Sequence, residues 1–389
     1  MKPNLHQRVI IVKFLILAAL ASGMALSYKL WLSKRFFPLT PVFDFLPPVA
    51  DPLDFVIIYA LAILIALNFV YPPGRKLVIA LIAVLFILAI SDQNRWQPWF
   101  FQYFFMLIVF TFTSPPKLRF TETEIRFKML QLIIAGVYFW SGMNKLNSGF
   151  YNEVLPWLTQ PYYQFLPESL NFIIKYFTSS IPFIEIFIGI GLFLPKIRKV
   201  AIVLAIVTHL FILIVLGPLG YNYNSVIWPW NAAMMLFVVL LFFNVPVISA
   251  AHFKALLKWH AVKMIFLLFW LMPFFNLFNR WPAYLSFHLF SGNTSEGTIY
   301  LSDKTVSFLP EELSNYLGNE TNPAATRTRN IINIKAWSMN ELRIPAYPEK
   351  RVFNNAKSYF YQFAKDSGEV VMVYKEKSSL FKKPQPEVY

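Results

Sequence analysis

Residues 53–91 read LDFVIIYALAILIALNFVY, then PPGR, then KLVIALIAVLFILAIS. Two apolar runs, 53–71 and 76–91, lie near the ~17–25 residues a helix needs to cross a bilayer. Between them sits a short loop with Arg75 and Lys76. Neither run shows the ~10-residue alternating segments of a transmembrane barrel. The stretch reads as two spans of a polytopic α-helical membrane protein. Working outward, apolar stretches broken by short polar loops continue from Val9 to Phe278. The further candidate spans are 9–28, 97–114, 128–147, 174–195, 199–218, 226–244 and 262–279, nine in all. The third and fourth are closely spaced enough for a helical hairpin.

Composition agrees. Of 389 residues, 57% are apolar and 14% charged, against roughly 45–50% and 25% in soluble domains. Trp31, Trp96, Trp99, Trp228, Trp230 and Trp281 fall at segment ends, where such rings favour the headgroup level. There are no cysteines, which excludes disulfides and thiolate metal sites. The net charge of +15 is not a nucleic-acid signature, because most of it sits in short loops where Lys and Arg set orientation. Lys2, Arg8 and Lys13, then Arg75 and Lys76, then Lys117, Arg119, Arg126 and Lys128, then Lys196, Arg198 and Lys199, then Lys254, Lys258 and Lys263 mark alternate loops. The first loop, with Lys29, Lys34 and Arg35, is the exception. The expectation is a bacterial inner-membrane protein with a cytoplasmic N-terminus and an external C-terminal region. The start also has the form of a signal peptide, with Ala19-Leu20-Ala21 as the cleavage step; an uncleaved first span is the favoured reading.

Residues 280–375 read as a small extramembrane α+β domain following a transmembrane domain over 1–279. Thr298–Leu301 and Thr305–Leu309 read as a hairpin, Ile331–Trp337 as a strand and Val352–Ala364 as a helix. Glu369–Tyr374 is a strand, and residues 376–389 a frayed tail.

Ionisable residues inside apolar spans are costly, so each is a candidate site. Tyr138, Gly142 and Lys145 share one helix face. A desolvated Lys145 can act as a base, or it can snorkel to the headgroups. Glu185 and His209 lie deep in their spans, where they can pair with each other, or one of them with Lys145, as an acid–base relay, or can form structural interhelical hydrogen bonds. His209 has no second His at metal-ligand spacing, so no metal site is expected. Asp92 and Arg95 form an i,i+3 pair that would fix its loop, with Arg95 also a candidate for substrate binding. Asn222 and Asn224 sit in a polar, aromatic stretch, Tyr221–Asn231, suited to an aqueous mouth. In the expected topology, Asp92–Trp99, Lys145, Asn222, Asn224 and the tail fall on the outer side, as for a cavity open outward.

Tyr138-Phe139, Gly142, Lys145-Leu146 and Phe150 resemble the "YF..G..KL...W" segment of the horizontally transferred transmembrane (HTTM) family, which includes vitamin K-dependent γ-glutamyl carboxylases. His209-Leu-Phe, Gly217 and Asn224-Ser225 before Trp228-Pro229 are similar to a second family segment. Arg280-Trp281, Phe287–Gly292 and Ile299-Tyr300 are similar to a third. A weaker similarity, through Gly142 and Lys145-Leu146, is to DoxX/DoxD-type membrane proteins. The HTTM resemblance implies that Lys145 deprotonates a quinol, with His209 in support and a quinone or quinol as cofactor. Asn94-Arg95-Trp96-Gln97 departs from the family's Asn-His, and no large propeptide-binding domain is present, which weighs against protein glutamate carboxylation.

Three functions are weighed: an enzyme with a lysine base acting on a lipophilic, quinol-like molecule; a non-catalytic scaffold or assembly factor that recruits a periplasmic protein through its C-terminal domain; and, ranked last for want of a broken-helix pair or inverted repeat, a transporter.

Overall fold

A computed structural model describes residues 3–72, 74–113, 120–246, 250–319, 330–382 and 385–389. Lys2, Lys117, Arg119 and Lys383 lie outside the described residues. The chain is mostly helical with one small sheet near its C-terminus. It divides into two compact units.

The first unit comprises Met1–Ala25, Tyr59–Leu85 and Pro98–Asn293. Its helices are drawn from α1 (Leu5–Leu26), α2 (Leu53–Val70), α3 (Arg75–Ser91), α4 (Pro98–Val109) and α5 (Glu122–Asn144). They continue with α6 (Leu155–Phe165), α7 (Glu168–Ser179), α8 (Ile181–Gly191), α9 (Arg198–Leu216), α10 (Ile227–Phe242) and α11 (His260–Phe266). Among the described residues, length and composition make four segments able to cross a membrane: α1, α2, α9 and His260–Phe278. The last continues α11 through a π-helical turn and a 3-10 stretch. α7 and α8 make a fifth if counted as one span, but they are bent by 51° at their junction. That junction is a broken helix pair of the kind the sequence did not lead one to expect. α4 and α10 are apolar but shorter.

α5 starts on a capping box: the Thr121 side chain accepts from Glu124 N–H, and the Glu124 carboxylate accepts from Thr121 N–H. Glu122 and Glu124 also complement the positive end of its dipole. Its far half packs on α8 at very close range. A Cβ at Gly142 would lie 2.5 Å from the Pro182 carbonyl oxygen, so only glycine fits there.

The second unit comprises Leu26–Ile58, Phe86–Gln97 and Thr294–Tyr389. Its sheet has five strands, β1 (Glu296–Leu301), β2 (Leu317–Asn319), β3 (Asn330–Ile332), β4 (Val370–Lys375) and β5 (Glu387–Val388), in the order β2-β3-β1-β4-β5, all antiparallel. α12 (Ile334–Leu342) and α13 (Lys350–Phe360) accompany it. Of the stripe Phe353, Ala356, Phe360 and Phe363 that helical spacing over Val352–Ala364 predicts, the first three are buried on α13, while the helix ends at Phe360 and Phe363, in a following 3-10 turn, is only half-buried.

Three sequence readings need correction. Thr298–Leu309 is no hairpin: the Ser302 side chain accepts from Thr305 N–H and starts a helical turn at Asp303–Val306, so β1 pairs with β3 and β4 instead. The strand over Ile331–Trp337 ends at Ile332, because the Asn333 side chain accepts from Ala336 N–H and caps α12. The tail does not fray to its end. Tyr389 N–H donates to Met372 O at 2.8 Å, and the Met372 N–H returns the bond at 2.9 Å.

The Asp92–Arg95 pair is a further correction. Asp92 pairs with Arg35, both side chains fully buried, and its other oxygen accepts from Thr40 N–H and Asn94 N–H. Arg95 turns the opposite way, onto Leu88 O at 2.7 Å, Leu30 O and Trp31 O at 3.1 Å and Ser91 Oγ at 2.7 Å. These are carbonyls that helix ends leave without intrahelical donors. Burial pushes the Arg95 guanidinium down to about 10. The basic residue that breaks the charge alternation, Arg35, is thus part of the folded loop. The C-terminal segment grips the same loops: Glu341 accepts from Phe36 N–H at 2.6 Å and Phe37 N–H at 2.9 Å, and Tyr347 N–H donates to Asn94 Oδ1 at 3.0 Å.

Candidate functional site

α5, α8, α9 and α10 surround a pocket in the first unit. Its polar wall consists of Tyr138, Ser141, Lys145, Glu185, His209 and Asn231, and every other lining residue is apolar. About 70 Å³ is open to water centres; one water needs ~10–15 Å³, so several fit. The pocket is neither sealed nor a flat surface.

Lys145 is the C-cap of α5 and is buried there. Its Nζ donates to Glu185 Oε2 at 2.7 Å, Ser141 Oγ at 2.6 Å and Ser141 O at 3.3 Å. An ammonium has three donors, and all three are used. Snorkelling to a headgroup is excluded by this geometry. Glu185 reaches the lysine because α8 approaches α5 so closely at Gly142.

The second polar set is a chain. The Tyr138 hydroxyl lies 2.6 Å from His209 Nε2, and His209 Nδ1 lies 2.7 Å from Asn231 Oδ1. Asn231 Nδ2 donates to Ile227 O at 2.8 Å, one helical turn back. That bond turns the amide oxygen toward the ring, so Nδ1 carries the proton and Nε2 accepts from the Tyr138 O–H.

Tyr138, Lys145, Glu185 and His209 therefore meet in one place, with Lys145 bonded to Glu185 and His209 bonded to Tyr138. Three expected residues are elsewhere. Asn222 and Asn224 sit in a left-handed turn before α10, with φ of 48° and 51°, and neither is on the pocket wall. Arg95 lies in the second unit with its guanidinium held by backbone carbonyls. It is spent on the loop, not presented to a ligand. Two wall residues escaped the sequence reading. Ser141 stands one turn before Lys145, a spacing at which helix side chains meet. Asn231 closes the polar, aromatic stretch from which Asn222 and Asn224 were chosen. Among the described residues no group of three or more His, Asp or Glu could hold a metal ion.

No protein-family model, curated protein or solved structure matches the chain.

Proposed function

We propose that this is an integral membrane protein whose helical unit binds a lipophilic, hydroxyl-bearing molecule of the quinol class and ionises that hydroxyl. The observation that carries the reading is the convergence of two hydrogen-bonded acid–base sets, Lys145–Glu185 and Tyr138–His209–Asn231, on one mostly apolar pocket. Such a pocket with a few convergent polar groups is the ordinary form of a small-molecule site. The HTTM resemblance at Tyr138–Phe150 supports a quinol-like substrate and a role for Lys145. The ion pair modifies that role: Lys145 can serve as a base only after passing a proton to Glu185, while as an ammonium it stabilises a developing oxyanion.

The test is mass spectrometry of lipophilic molecules that co-purify with the detergent-extracted protein. A hydroxylated or quinonoid aromatic should be recovered from the wild type and be lost from Lys145→Met/Glu185→Leu, a double variant that removes both charges together and so leaves neither unpaired. Recovery of membrane phospholipid alone from both proteins would refute the reading. The scaffold reading has its own observation: all three Lys145 donors are satisfied inside the protein and tie α5 to α8. It expects that double variant to retain partner binding.

A further inference from the structure

We infer that the group receiving the ligand's proton is His209, reached through the Tyr138 hydroxyl, with Asn231 as the residue that positions it. The inference rests on the pocket being a site for a hydroxyl-bearing ligand, and it names the acceptor that reading leaves open.

Lys145 Nζ is a full donor to three acceptors and offers no lone pair. His209 Nε2 is the one imidazole nitrogen left with a lone pair, since Nδ1 donates to Asn231. That lone pair faces Tyr138 at 2.6 Å, so the phenol proton points at the imidazole. The phenol oxygen then has its own lone pairs to accept a hydrogen bond, and Tyr138 is a lining residue of the pocket.

The transfer balances without any further reagent. The ligand O–H bond breaks and its proton joins the Tyr138 oxygen. The Tyr138 O–H proton moves to His209 Nε2. The products are a ligand oxyanion, a neutral tyrosine and an imidazolium whose Nδ1–H stays on Asn231 Oδ1. The ligand oxyanion faces the Lys145 ammonium, which keeps its proton throughout and lowers the energy of the anion by its charge. Asn231 acts through His209 alone. Without it the ring could carry its proton on Nε2, where it would donate to Tyr138 and leave the tyrosine nothing to hand its proton to.

The experiment uses the full chain in detergent with a 2-alkyl-4-nitrophenol as probe, because ionisation of that phenol produces a visible phenolate band. The buffer is held where the free probe is protonated. Wild type should bind the probe and show the band. His209→Gln, whose amide still bridges Tyr138 and Asn231, should keep affinity within a few-fold and lose the phenolate fraction by about tenfold or more, one unit of relative acidity. Asn231→Leu should do the same, and Tyr138→Phe should lose the band and also bind the probe more weakly, because the oxygen that accepts the ligand's hydroxyl is gone. Asn231→Asp should restore the band, because a carboxylate also holds Nδ1–H. A purely structural role for Asn231 would change affinity or melting without separating the band from binding. A full band in His209→Gln together with its loss in Lys145→Met would overturn the relay and make the lysine the base. Binding by wild type with no band would overturn the relay and the ionisation step, leaving the pocket as a binding site only. No binding by wild type would sink the pocket reading and the relay together.

Discussion

Lys145 and Glu185 are nearly dry, with side-chain exposures of 8% and 6%, so each depends on the other. Removing one partner of a buried pair leaves an uncompensated charge and typically costs ~3–5 kcal/mol, whereas replacing both by apolar residues is often neutral or stabilising. Glu185→Leu alone should therefore lower the melting temperature of the detergent-solubilised protein sharply. Adding Lys145→Met should recover most of the loss. Equal melting of the single and double variants would mean the pair carries no coupling. That these intramembrane charges need partners was legible because they are few and costly, but which of Glu185 and His209 meets Lys145 was not. The Asn231 contact was not, because an asparagine four residues after Ile227 looks like any helix-end residue until the fold turns its amide. A second buried cation gives a pH test. Lys377, in the second unit, is buried, and burial pushes its ammonium down to about 8 from the usual 10.5. A lowered folded-state value means that stability is fully present above 10.5 and is lost as pH falls through about 8. Lys377→Met should thus raise the melting temperature most at pH below ~8, and the advantage should shrink steadily toward pH ~10. A constant offset across that range would show that burial does not tax this charge.

The elements divide by how local their causes are. Helices such as α2 and α9 are long apolar runs, and their positions follow from hydropathy alone. The C-terminal elements were harder because single capping side chains decide them. Ser302 and Asn333 each turn a run with strand-like residues into a helix start. The pairing of β5 with β4 depends on a chain end returning to a sheet, which no local pattern encodes. Contact between α5 and α8 is another matter of two elements at once. An added methyl at Gly142 would meet the Pro182 carbonyl at 2.5 Å and Ile186 N at 2.8 Å, both backbone atoms that cannot step aside. Gly142→Ala should cost about 1–3 kcal/mol of stability through overpacking and, by parting the helices, weaken probe binding as well. Gly318→Ala, where an added Cβ meets nothing within 4 Å, serves as the reference, with a melting shift several-fold smaller. If the two variants melt alike, close helix approach is not what Gly142 supplies.

At the scale of the whole molecule, the second unit constrains how the chain can be threaded through a membrane. It is one compact body made of Leu26–Ile58, Phe86–Gln97 and Thr294–Tyr389, joined by contacts such as Arg35–Asp92 and Tyr347–Asn94. If this body stays on one side of a bilayer, the chain must cross an even number of times between consecutive stretches. Between the first two stretches lie α2 and α3. If α2 crosses, α3 must cross with it, although at 17 residues it is at the short end of the ~17–25 a span needs. Between residues 97 and 294 the count must again be even, and the sequence reading places six candidate spans there. The nine spans expected from the sequence would satisfy both conditions and would put the N-terminus on the opposite side from the second unit, whereas among the described residues four helices, or five with the bent pair, are long and apolar enough to cross. In that threading the basic residues Arg75/Lys76 and Arg198/Lys199 would share the N-terminal side, and the positive-inside rule predicts that this side is cytoplasmic. The chain has no cysteine of its own, so single cysteines report directly. Lys29→Cys and Leu380→Cys, both at exposed positions of the second unit, should react with a membrane-impermeant maleimide on intact cells or spheroplasts. Lys76→Cys and Lys199→Cys, exposed in the first turns of α3 and α9, should react only after the membrane is permeabilised. If positions 29 and 380 label from opposite sides, the even count fails and the stretches cannot share one folded body. If all four label together from outside, the nine-span threading is wrong even though the body is intact.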